Sequence, residues 1–163
     1  MKMYRRQTWP QDMNAYIKGV RRRPFGPFGE FDCICMAGQC VEAMTGVNFA
    51  GRFRGRYSDA AGAYKIMTEF AGGGLIALMD KLAEEYGWEI IENRLTVQRG
   101  DIVLGNPEVI GGDPRFDGSV GMCMGTVSVF SGEAQIEGFS TIETPGTPPT
   151  IMRAWRIDVE RDG

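Results

Sequence analysis

The sequence predicts a single α+β domain on three observations. Capped stretches of helical periodicity run from about residue 9 to 86. Short β-rich runs separated by Gly, Asp, Asn and Pro follow from about 88 to 158. No internal repeat, linker or low-complexity block divides the 163 residues. Helices first and strands afterwards imply a mostly antiparallel sheet with the helices packed against it. The apolar share of 43% and charged share of 24% place the chain among globular proteins and exclude a disordered one.

In chain order, Thr8 and Gln11 have the form of a capping box, with Pro10 in the first turn. Met13, Tyr16, Ile17 and Val20 recur at helical spacing, so residues 9–22 are expected to form an amphipathic helix. Arg21-Arg22-Arg23-Pro24 ends it, since cations suit a helix C-terminus and proline cannot continue one. An aromatic loop of turn formers fills 24–31. Asp32 is a good N-cap and Gly46 a good stop for a second helix, whose wide apolar arc and small residues (Ala37, Gly38) place it in the core. After a loop over 47–57, Ser58 is expected to cap a third helix reaching about Ala71. The glycines 72–74 break it, and Leu75 to Tyr86 forms a fourth helix closed by Gly87. The expected strands are Trp88–Ile91, Ile102–Leu104, Val120–Met124, Val127–Phe130, Gln135–Gly138 and Met152–Ile157.

No apolar run approaches the roughly 20 residues that cross a bilayer, and Met1 to Thr8 lacks the apolar core of a signal peptide, so a cytoplasmic site of synthesis is expected. Residues 1–60 carry ten Lys/Arg against five Asp/Glu, and the remainder eight against sixteen. A basic front and an acidic back suit a protein that docks onto others, although solvated faces produce the same split. The loops at 24–31 and 50–57 are the expected docking surfaces. The chain has no histidine.

Cys33 directly follows the expected N-cap of the second helix, where backbone N–H groups and the helix dipole favour a thiolate. Core packing is the competing account, because free cysteine is among the most buried residue types. Phe28-Gly29-Glu30-Phe31-Asp32-Cys33, with Ala37, Val41 and Thr45-Gly46 after it, resembles the nucleophile segment of NlpC-like, papain-related cell-wall peptidases. The resemblance is to a branch carried by tailed phages and prophages. Arg54-Gly55-Arg56-Tyr57 before a small-residue helix is similar to a segment of that branch, and Gln98 to Leu104 to its Gly-Asp strand. Ser119-Val120-Gly121-Met122 resembles the strand that carries the histidine base, and Ala154-Trp155-Arg156 the closing strand. The resemblance implies a papain-like NlpC-type fold, with Cys33 at the nucleophile position and Ser119 at the position of the missing base. It also implies a place in a tail tip among other phage tail proteins, contact with peptidoglycan, and passage from host cytoplasm to virion tail. Without histidine, Cys–His hydrolysis is excluded by inventory, since a serine hydroxyl is no base at neutral pH. The Asp32 charge also opposes ionisation of Cys33.

Other chemistries remain open on the same residues. Cys33 can act as a thiol hydrolase or acyltransferase if Asp117, or a base from a neighbouring chain, accepts its proton. Cys33, Cys35, Cys40 and Cys123 can bind zinc or an iron–sulfur cluster. The gaps do not follow Cys-x-x-Cys pairs, however, and on a helix Cys35 points about 200° from Cys33. Otherwise no cofactor is expected. Arginine outnumbers lysine fourteen to four, and Arg52, Arg54 and Arg56, with Phe53 and Tyr57 between and after them, are candidate binding residues. Protein interfaces use such groups more than this acidic chain would use them for nucleic acid, which is not an expected partner. Gly72-Gly73-Gly74 follows a helix and has no Lys-Ser/Thr after it, so it is not a phosphate-binding loop.

Overall fold

The computed structural model describes residues 1–110, 114–131, 140–143 and 150–161. The architecture is α+β, with helices preceding an antiparallel sheet. The helices are α1 (Trp9–Val20), α2 (Cys33–Thr45), α3 (Ala60–Ala71), α4 (Leu75–Tyr86) and a short α5 (Pro107–Ile110). The strands are β1 (Tyr4–Arg5), β2 (Glu89–Ile91), β3 (Ile102–Gly105), β4 (Ser119–Cys123), β5 (Val127–Phe130), β6 (Ser140–Glu143), β7 (Ile151–Arg156) and β8 (Asp158–Val159). Six of them form one sheet in the order β2-β7-β3-β4-β5-β6, every neighbouring pair antiparallel. β1 and β8 pair in parallel beside it, tying the two ends of the chain together. The expected strand at Gln135–Gly138 lies outside the described residues.

Both faces of the sheet are covered, and strand alternation sorts the side chains between them. Ile102, Leu104, Val120, Met122, Val129 and Trp155 join the helices in the main core. Val103, Cys123, Phe130, Ile151 and Ala154 form a second cluster on the opposite face. This explains why β3 reads as an unbroken apolar run: a central strand buried on both faces has no polar side to show. α2 packs on β4 and on α1; Cys33 at the start of α2 comes against Ser119 and Val120 at the start of β4.

Caps decide the helix ends, with two departures from expectation. α2 starts at Asp32 and stops at Gly46, whose left-handed backbone (φ 87°) lets its N–H reach the Glu42 carbonyl. α3 starts at Asp59 rather than Ser58, because Asp59 has the extended backbone and its carboxylate accepts the Gly62 N–H at 2.7 Å. Thr8 does not cap α1; its backbone is not extended, and its hydroxyl donates to the Asp12 carboxylate at 2.7 Å.

Helix and sheet are also joined by charge. The Arg153 guanidinium on β7 donates Nε to Asp80 Oδ1 (3.1 Å) and Nη2 to Oδ2 (2.9 Å), and the Trp155 indole donates to the same carboxylate at 2.9 Å. Among the described residues, no helix is long and apolar enough to cross a membrane.

Candidate functional site

The site begins with the turn that precedes α2. Asp32 is buried with an extended backbone, and its carboxylate is satisfied three times over. Oδ1 accepts the Cys35 N–H at 2.9 Å; Oδ2 accepts the Gly29 N–H at 3.0 Å and the Tyr57 hydroxyl. Hydrogen bonds to an ionised acceptor are the strong kind, and a buried carboxylate needs them. Gly29 makes the turn possible: its φ of 83° is left-handed, and a Cβ there would sit 2.2 Å from the Tyr57 carbonyl oxygen. Its own carbonyl accepts the Gly55 N–H at 2.9 Å, so the loops at 24–31 and 50–57 are laced to each other.

Cys33 is the first residue of α2 and is half-buried. The Val120 backbone N–H and the Ser119 hydroxyl of β4, together with the Ile34 N–H, favour the thiolate of Cys33. Burial and then the Asp32 charge act the other way and prevail, so the thiol is pushed up to about 11. At pH 7 roughly one Cys33 in ten thousand is then ionised. The fold thus brings together Cys33 and Ser119, the two positions that the resemblance assigns to nucleophile and missing base, in a chain without histidine.

Asp117 is exposed, and its carboxylate packs against Gly74 at the start of α4: a Cβ at Gly74 would lie 2.7 Å from Asp117 Oδ2. That end of a helix favours an anion, which accounts for the placement. Asp117 also has φ 68°, rare for a residue with a side chain.

The candidate binding residues separate into two kinds. Arg52 is engaged internally, donating Nη2 to Glu85 Oε1 and to the Tyr86 hydroxyl, each at 2.8 Å. Tyr57 is held by Asp32, and Phe53 is buried edge-on against Phe70 with ring centroids 5.1 Å apart. Phe53 is therefore core and not an exposed binding group. Arg54 and Arg56 remain exposed.

The thiols do not converge. Cys40 lies in the main core and Cys123 in the second cluster on the far face of the sheet, where its sulfur donates to the Gly125 carbonyl at 3.3 Å. Cys35 is pushed up to about 12 by burial and by Asp32. All four cysteines are free thiols, and among the described residues no three His, Cys, Asp or Glu side chains cluster to hold a metal.

Residues 4–157 match the family described as a domain of unknown function, DUF6950. The chain belongs to this family. No curated protein matches the chain. The family match runs from β1 to the residue after β7 and takes in Asp32, Cys33, Tyr57 and Ser119.

The residues that sequence reasoning did not connect are the partners of Asp32. Tyr57 had the look of an exposed binding group, since nothing local ties it to a carboxylate 25 positions earlier.

Proposed function

We propose that the chain is a structural component of a phage or prophage tail tip, built on a papain-like, NlpC-type domain whose peptidase site does not catalyse. One observation carries this reading. The Cys33 thiol at the start of α2 is faced by Ser119 and raised to about 11, in a chain without histidine. A thiol hydrolase needs a populated thiolate and a base to take and return the proton. This site has a neutral thiol and a hydroxyl, which suit packing and not turnover.

The tail assignment draws on the resemblance of the Cys33, Arg54–Tyr57 and Ser119 segments to a phage and prophage branch of NlpC-like proteins. Its partners are then other tail proteins, with peptidoglycan as the envelope polymer the tip meets. The chain is made in the host cytoplasm during assembly and leaves in the virion tail.

The test uses particles purified from a host that produces the chain. Peptide mass spectrometry is expected to find it in the tails at constant stoichiometry. Particles carrying Cys33→Ala are expected to assemble and infect as the parent does. Absence from the particles would remove the tail reading. Normal assembly with lost infectivity in Cys33→Ala would turn the scaffold into an enzyme.

A further inference from the structure

The bond from the Gly55 N–H to the Gly29 carbonyl sets the segment that follows α1 beside the loop that precedes α3, and both segments carry exposed arginines. Arg21, Arg22 and Arg23 follow α1, and Arg54 and Arg56 lie in the loop before α3; all five are exposed. Arg23 and Arg54 both act electrostatically on the Tyr16 hydroxyl, which itself donates to Gln39 Oε1 at 2.7 Å. None of the five forms an ion pair among the described residues, whereas Arg52 nearby is committed to Glu85. The acidic side chains in the same two segments, 21–32 and 46–59, are Glu30, which is exposed, Asp32, which is buried, and Asp59, which caps α3.

The surface is held in shape. Arg23 places its guanidinium 4.1 Å from the centroid of the Phe31 ring, a fully buried anchor, while the residue itself stays exposed. Arg54 and Arg56 ride on the loop that Gly29–Gly55 and Asp32–Tyr57 bonding fixes to the 24–31 turn. Arg56 adds a long contact from Nη1 to the Arg52 carbonyl at 3.5 Å. Phe25 and Phe28 sit edge-to-face, 5.0 Å apart and half-buried, in the same loop.

We infer that the face formed by Arg21, Arg22, Arg23, Arg54 and Arg56 is a docking surface for an acidic protein segment. Planar guanidinium forks match carboxylates in pairs, and aromatic groups beside arginine are what protein interfaces enrich. The patch is local, while residues 61–163 carry eight Lys/Arg against sixteen Asp/Glu. That acidic remainder works against a long phosphate polymer lying across the molecule and tolerates a short acidic stretch. The surface stands independently of how Cys33 is read.

The experiment titrates the full chain with a ten-residue glutamate peptide at low salt, followed by calorimetry. An oligothymidylate of equal charge serves as the comparison. The parent is expected to bind the peptide, with affinity falling as salt rises. Arg22→Glu/Arg54→Glu/Arg56→Glu is expected to weaken binding at least tenfold, while Arg94→Glu/Arg99→Glu, exchanged away from the patch, is expected to leave it unchanged. The corresponding glutamine triple variant keeps the comparison valid if the charge reversal unfolds the chain. Undetectable peptide binding by the parent, equal affinity in the patch variant, or tighter binding of the oligothymidylate would each overturn the inference.

Discussion

Alkylation of Cys33 offers the sharpest check on the site. The attacking species is the thiolate, so the rate follows the ionised fraction. With the thiol raised to about 11, ionisation at pH 8 is about one part in a thousand. A free cysteine near 8.5 is then roughly one quarter ionised, so Cys33 should react on the order of 10² times more slowly before shielding is counted. The raised value also sets the pH dependence: the rate should climb about tenfold per unit from pH 7 to 10 and level off only near 11. Asp32→Asn removes the second-largest influence holding the thiol neutral while leaving burial in place. It is expected to speed alkylation at pH 8 by about tenfold, the effect of roughly one pK unit. The assay is iodoacetamide labelling of the folded protein read by peptide mass spectrometry, with the fully buried Cys40 as the unreactive internal reference. Fast labelling at pH 7, or a midpoint at or below 8.5, would refute the reasoning and restore Cys33 as a nucleophile.

Tyr57→Phe removes one of three donors to a buried carboxylate, so it should destabilise the fold by about 1.5–3 kcal/mol in urea unfolding. An unchanged midpoint would mean that Asp32 does not need the hydroxyl. Gly29→Ala should cost more than about 2 kcal/mol, because it combines a left-handed backbone with a collision against the Tyr57 carbonyl. Gly19→Ala is the paired control: it is helical, with nothing within 4 Å of a new Cβ, and should stabilise by up to about 1 kcal/mol. Thermal melts in which the two alanine variants shift the same way would contradict the loop geometry.

What could be read from the sequence was local, and what could not was distant. Asp32 and Gly46 bound α2 as expected because a cap is made with residues three or four positions away. Ser58 and Asp59 are both cap formers, and only the backbone angles of the folded loop choose between them. The β1–β8 pair joins Tyr4 to Asp158 with two residues on each side, too short for any periodicity to announce. The charge split was visible, but its internal use was not: Arg52–Glu85, Lys2–Asp158 and Arg153–Asp80 ion pairs each join elements far apart in the chain. Cys33 and Ser119 lie 86 positions apart, so their approach is beyond any local pattern of capping or periodicity. Asp32 was readable as a cap and as a charge beside the thiol, yet its Tyr57 partner was not.

The two roles of Asp32 bear on why Cys33 is quiet. A cysteine at a helix start is activated when free backbone N–H groups and the dipole stabilise a thiolate. Here the Cys35 N–H of that first turn is already given to the Asp32 carboxylate, and the Gly29 N–H and Tyr57 hydroxyl add to the same anion. A thiolate at Cys33 would share one helix end with that carboxylate, and the Asp32 charge raises the cost of ionising the sulfur. The Asp32 carboxylate has three donors inside the fold, whereas for the sulfur two N–H groups and the Ser119 hydroxyl work against burial and the Asp32 charge. A histidine at position 119 would offer a proton acceptor and, once protonated, a compensating cation. The hydroxyl offers neither, so the arrangement that stabilises the turn also keeps the thiol protonated.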